Sequence, residues 1–128
     1  MSIDVTTIVS TAPAQEEGIE VKIRSEDGEE TGAVIRVAGP DSKRVKKARA
    51  HLIQERSDMR IRTTTGPRMD YEQRYMAAAA CISWTGFMAG ANEYECTVPN
   101  AVKLFEAKPD YQEQVEAASG NRALFTKK

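Results

Sequence analysis

Residues 19–56, IEVKIRSEDGEETGAVIRVAGPDSKRVKKARAHLIQER, change hydrophobic period part-way along, and that change sets the fold class. Ile19, Val21 and Ile23 alternate with Glu20, Lys22 and Arg24, the period-2 pattern of a half-buried strand. Ala33, Ile35 and Val37 give a second strand, and Asp27-Gly28 between the two signals a turn. A β-hairpin over 19–38 is therefore predicted. Gly39-Pro40 stops it, and Asp41 or Ser42 can cap a helix that begins there. Val45, Ala48, Leu52 and Met59 then fall on one helical stripe with Ile53 beside it, while Lys43, Lys46, Lys47 and Arg56 point elsewhere.

Upstream, TTIVST (6–11) reads either as an added strand or as loose chain. Downstream, RIRTTTGPR (60–68) reads as a linker, followed by a helix over 69–82. The stripe of that helix is Tyr75, Ala79 and Ile82, with Met69 and Met76 one heptad apart nearby. After Trp84, TGFMAGANEYE is a Gly-punctuated turn region with room for a short hairpin only. Thr97-Val98-Pro99-Asn100 opens a short helix, since Thr caps and Pro is tolerated in the first turn. Lys108-Pro109 ends it and opens a last helix with the stripe Tyr111, Val115 and Ala118, which Gly120-Asn121 ends or kinks. An α+β fold is expected: an N-terminal β segment over 1–38, a hairpin with a candidate third strand, then a mainly helical region of about four helices over 39–128. The two parts read as one compact domain, with 1–12 and 120–128 as candidate flexible ends.

The chain has 128 residues, 18 Lys and Arg, 19 Asp and Glu, and a net charge of −1. That balance hides a division. Residues 1–42 carry nine acids and three bases, 43–62 carry two acids and eight bases, and 63–128 carry eight acids and seven bases. Near-zero net charge argues against bulk electrostatic binding to nucleic acid. One His (His51) and two Cys (Cys81, Cys96) cannot supply a four-ligand His/Cys zinc site. The longest strongly apolar run, 76–82, is far short of the ~20 residues that span a bilayer. The start of the chain lacks the cationic and apolar blocks of a signal peptide, so a soluble intracellular protein with reduced thiols is expected.

The basic stretch 43–62 has three readings: a solvated helix face, a dock for an acidic protein, or a phosphate-binding helix. No aromatic residue interleaves its bases, which disfavours the last. His51 lacks a flanking nucleophile signature and reads as a partly buried structural histidine. The pairs Glu16-Glu17 and Glu29-Glu30 lie in polar, turn-like stretches and read as solvated acids. The glycines form no phosphate-cradling motif. No catalytic residue, cofactor site or metal site is expected. Trp84 reads as core, where it would fill a large space, or as an exposed anchor for a partner.

The order of motifs carries a resemblance. GPDS (39–42) opens a charged helix; ISWTGF (82–87) and a Gly turn follow; then comes TVPNAVKLFEAKPDYQEQVEAA (97–118), and finally Phe125. Over about residues 33–126 this resembles the short tail assembly chaperones of long-tailed, siphovirus-like bacteriophages. The shared pattern falls on Trp84, Gly86, Pro99, Asn100, Leu104, Phe105, Pro109, Gln114, Val115 and Phe125. Where such chaperones usually carry a polar Asp-Gly turn after the Trp, this chain has MAGANEYE. The resemblance implies a non-enzymatic protein of the host cytoplasm, absent from the mature virion. It would bind the tape-measure protein, keep it soluble and help tail-tube subunits assemble around it; self-association is compatible with the family. Trp84, Phe87, Met88, Leu104, Phe105 and Phe125 are the expected partner contacts. A minor structural protein of the tail or head-tail connector is the alternative, and a nucleic-acid-binding regulator a weaker one. Many members also have a frameshifted longer form, which the Lys127-Lys128 ending would suit.

Overall fold

The computed structural model describes residues 2–126, and it is an α+β fold. Lys127-Lys128, and with them the frameshift expectation, lie outside the described residues. Strands β1 (Ile19–Arg24) and β2 (Glu30–Val37) pair antiparallel, with Val21 opposite Ile35 and Ile19 opposite Val37. The alternation has the expected consequence: Ala33, Ile35, Val37 and Ile23 are buried, while Glu20, Lys22 and Arg24 are exposed. Helix α2 (Lys43–Asp58) follows at the change of period. Ser42, not Asp41, is its cap, accepting a hydrogen bond from the Val45 amide at 3.3 Å. Val45, Ala48 and Leu52 are buried along its inner face, but Met59 and Ile53 are exposed. Met59 lies beyond the last turn of the helix, so the stripe stops at Leu52.

The third strand comes from elsewhere than the N-terminal segment. TTIVST is regular only at its first two residues, which belong to a 3-10 turn over Val5–Thr7, and that turn joins no sheet. A short helix unforeseen in the sequence, α1 (Ala12–Glu17), precedes the hairpin. The third strand is β3 (Cys81–Thr85), which pairs antiparallel with β2 and makes β2 the central strand. Helix α3 (Gly66–Ala80) therefore ends before Ile82. It also begins earlier than expected. Thr65 caps it and Pro67 sits in its first turn, where its missing amide costs nothing, so Gly66-Pro67 starts a helix and is not part of a linker.

A bulge between Arg36 and Val37 explains why β3 is irregular. Trp84 lies opposite Ile35 and Cys81 opposite Val37, although Cys81 and Trp84 are three residues apart. One extra residue in β3 brings both to the core face. Ile82, the extra residue, covers Gly18, whose φ of +83° disfavours a side chain and whose neighbours leave no room for one: a Cβ there would lie 2.6 Å from Ile82 Cδ1 and 2.7 Å from the Val37 carbonyl oxygen.

After a two-stranded ribbon, β4 (Met88–Ala89) and β5 (Asn92–Glu93), come α4 (Val98–Ala107) and α5 (Pro109–Ser119). Helix α3 is the central helix and touches α2, α4 and α5. Its run Ala77–Ala80 is wholly buried, and such small side chains let backbones approach closely. Two polar side chains close the edges. Gln114 of α5 accepts from the Arg24 amide and donates to the Arg24 carbonyl, both at 2.8 Å, as a neighbouring strand would. Arg44 donates to the carbonyls of Ala79, in the last turn of α3, and of Cys81, the first residue of β3. A last 3-10 turn, Arg122–Phe125, buries Phe125. No helix among the described residues is long and apolar enough to cross a membrane.

Candidate functional site

The six contacts expected from the sequence do not form one surface. Phe105 and Phe125 are enclosed in the core and present nothing to a partner, because the apolar stripes of α4 and the terminal turn both face inward. Leu104 is half-buried against the same core. Trp84 and Phe87 are half-buried together, ring centroids 5.1 Å apart and edge to face, and Trp84 also stacks on Tyr94 at 6.0 Å. The indole N–H donates to the Tyr94 carbonyl at 2.6 Å. Trp84 thus ties β3 to the β4–β5 ribbon, a structural task. Of the six, only Met88 is freely exposed.

The structure brings a different set of residues together. Helices α2, α3 and the end of α5 border an open groove of about 520 Å³, with Pro40 also in its lining. Val45, Leu52, Met76 and Ala77 supply apolar floor, and Ile53 stands on the rim at 63% exposure. Four charged side chains, Arg49, Arg56, Glu72 and Glu116, also line it. Arg49 has no ion pair among the described residues, Glu116 is partly desolvated with its carboxyl pushed up by burial, and Arg56 is neutralised by Glu72. A trough lined by apolar and charged side chains is the shape that accepts the apolar face of a helix or an extended apolar segment. Of its lining, Val45, Leu52 and Ile53 were marked by helical periodicity. The breadth of the apolar face of α2, with Ile53 outside the stripe, was the available signal for the rest.

An ion-pair network fixes the angle between the two helices that wall the groove. Glu72 of α3 accepts from Arg56 Nε of α2 at 2.6 Å and from Arg68 Nε at 2.8 Å, with a second Arg56 hydrogen bond to its other oxygen. Arg68 Nη1 also reaches Glu55 Oε1 at 2.8 Å and lies over the Tyr71 ring. His51 joins this rim from outside. It is exposed, not partly buried as expected, because it sits on the solvent side of α2, 3.6 Å from Glu55 and stacked on Tyr75.

Glu72 is held at about 2, below an ordinary value of 4.5, chiefly by its hydrogen bonds from Arg56 and then by those from Arg68. A carboxylate whose pKa is depressed on folding adds stability that is complete above the unfolded value and lost as pH falls through the folded one. The Glu72 contribution should therefore hold above 4.5 and fade as pH falls towards about 2. Glu72→Gln should flatten this acid limb in melting temperature against pH. Asp41, lowered by Arg122 and Gln15, titrates in both proteins and cancels in the comparison. An acid limb unchanged in the variant would remove the network from the stability of the groove.

The other candidates from the sequence stay apart. Cys81 is buried and Cys96 half-buried, both are free, and burial pushes both thiols up, away from the reactive thiolate. Lys43, Lys46 and Lys47 are exposed on α2 with no ion pair among the described residues. No cluster of three or more His, Cys, Asp or Glu that would hold a metal occurs among the described residues. Comparison with protein-family models, with curated proteins and with solved structures finds no match to this chain.

Proposed function

We propose that this protein is a tail assembly chaperone of a long-tailed bacteriophage. It acts in the host cytoplasm by binding, not by chemistry, and leaves before the virion is complete. It holds an apolar helical face of the tape-measure protein in the α2–α3–α5 groove, keeps that protein soluble and hands it to tail-tube subunits. The observation that carries the reading is the groove itself, an open trough lined by apolar and charged side chains. An unassembled helical rod exposes apolar stripes flanked by charge, which is the complement of such a trough. The order of motifs supports the phage assignment, and two of its segments contribute to the groove: GPDS through Pro40, and the last helix through Glu116.

Co-expression with a candidate tape-measure protein should raise the solubility of that protein and yield a complex that co-purifies. Ile53→Glu should weaken the complex at least about tenfold, since it places a charge on the apolar rim of the contact. Ile53 is exposed, so the variant should keep the parent's circular dichroism and melting temperature. No gain in solubility and no complex would overturn the reading. Stoichiometric amounts in purified particles would assign the protein to the tail structure instead.

A further inference from the structure

The segment before α1 is as apolar and as unpartnered as the groove. Ile3, Val5, Ile8 and Val9 are 80%, 76%, 63% and 82% exposed, although large aliphatic side chains are normally buried. None of residues 2–10 is buried, and the stretch carries a single charge, Asp4. It does not leave the fold at random. Gln15, almost wholly buried, accepts from the Asp41 amide at 2.6 Å and donates to Thr11 Oγ1 at 2.8 Å and Asp41 Oδ2 at 3.1 Å. The Gly39 amide donates to the Gln15 carbonyl at 3.0 Å. These bonds fix the root of the segment to Gly39 and Asp41, either side of Pro40, a residue that lines the groove.

Length and charge match as well. Residues 2–10 can extend over about 30 Å, whereas the groove-lining part of α2, from Val45 to Arg56, is about 17 Å long. Asp4 complements Arg49, the groove cation that has no ion pair among the described residues. In the monomer the segment keeps its four apolar side chains in solvent and outside its own groove. We propose that residues 2–11 of one copy dock in the α2–α3–α5 groove of a second copy, reciprocally, closing a two-fold dimer. Each dimer then buries two such contacts, as exchange of an identical element requires. Exchange covers the groove until cargo displaces the segment. The proposal shares the groove with the proposed function but not the identity of the cargo.

The test uses the full chain and two variants that alter only exposed positions. Light scattering and sedimentation should show a concentration-dependent dimer. The double variant Ile8→Asp/Val9→Asp and the single variant Ile53→Glu should each raise its dissociation constant at least about tenfold. Mixing the two variants should restore association in part, because the mixed dimer regains one of its two contacts, the intact segment of one copy in the intact groove of the other, and carries both changes in the second contact. A parent protein that stays monomeric up to about 100 µM, a dimer indifferent to the segment variant, or a mixture no stronger than either variant alone would overturn the exchange. Protection of the segment's amides in a strict monomer, lost in Ile53→Glu, would assign the groove to the chain's own segment and also overturn it. The segment variant leaves the groove intact, so cargo solubilised by a monomeric segment variant separates the exchange from the chaperone reading.

Discussion

Phe105→Ala is expected to lower the unfolding free energy by about 3–5 kcal/mol. Phe105 is the largest fully buried side chain, on the inner face of α4, in one cluster with Ile23, Ile35 and Val115. Truncation forfeits the transfer of the ring from water and leaves a cavity between α4, α3 and α5. The surrounding alanines of α3 are too short to lean into it. A small polar pocket bordered by Arg74, Gln112 and Phe105 adjoins the site, so water entering the vacated space would set the lower end of the range. Phe105→Leu, which keeps most of the volume, should cost less than about 1.5 kcal/mol. Urea denaturation checks both, and an unchanged m-value keeps the comparison two-state. Since domains of this size are stable by about 5–15 kcal/mol, the alanine variant removes a large share of the total. A loss under about 1 kcal/mol with selective loss of cargo binding would return Phe105 to the partner surface.

Where the chain announces its own boundaries, the sequence is easily read. The shift from period 2 to period 3.6 at Gly39-Pro40 separates β2 from α2, and Thr97-Val98-Pro99 and Lys108-Pro109 mark the starts of α4 and α5. These are local signals, a cap or a fixed φ, and they act within a few residues. The third strand has no such signal. Ala77–Ala80 carries helical propensity up to the first residue of β3, and the bulge opposite Arg36 erases the alternation that would have marked Cys81 to Thr85. Its partner, β2, lies before two whole helices, so the pairing depends on the fold and not on neighbours in the chain. Gly66-Pro67 misled for a related reason, because the same dipeptide breaks a helix or begins one according to what precedes it. Thr65 as cap decides the matter here.

The site was less legible than the fold. Composition pointed to Trp84 and its aromatic neighbours because they are scarce and large. Scarcity does not distinguish an aromatic that binds from one that packs. Pairing does: the Trp84 N–H already has an acceptor within the chain, and a surface anchor would keep it for a partner. The groove, by contrast, is made of ordinary residues, Leu52, Ile53, Met76 and Ala77, whose significance lies in being left without a facing element. An exposed apolar segment and an uncovered apolar trough in one chain are two signs of the same deficit, and each is the other's most economical remedy.

Trp84→Ala should destabilise the protein by about 2–4 kcal/mol, less than a fully buried aromatic because the ring is half-buried. The loss has a definite location. Trp84 holds the Tyr94 carbonyl, the Tyr94 amide holds the Phe87 carbonyl at 2.8 Å, and the Tyr94 hydroxyl reaches the Asn100 carbonyl at 3.4 Å. Removing the indole therefore loosens the β4–β5 ribbon and the entry to α4 together. Amide exchange should accelerate across residues 87–94 before it does so in β1 or β2. Trp84→Phe keeps the stacking on Tyr94 but leaves that carbonyl without its donor, and should cost about 1 kcal/mol. Neither variant touches the groove, so under the proposed function both should, below their melting temperatures, solubilise cargo as well as the parent protein. If Trp84→Ala instead kept its melting temperature and its exchange pattern while the complex weakened tenfold or more, the aromatic cluster would be the docking face and the groove would lose its role.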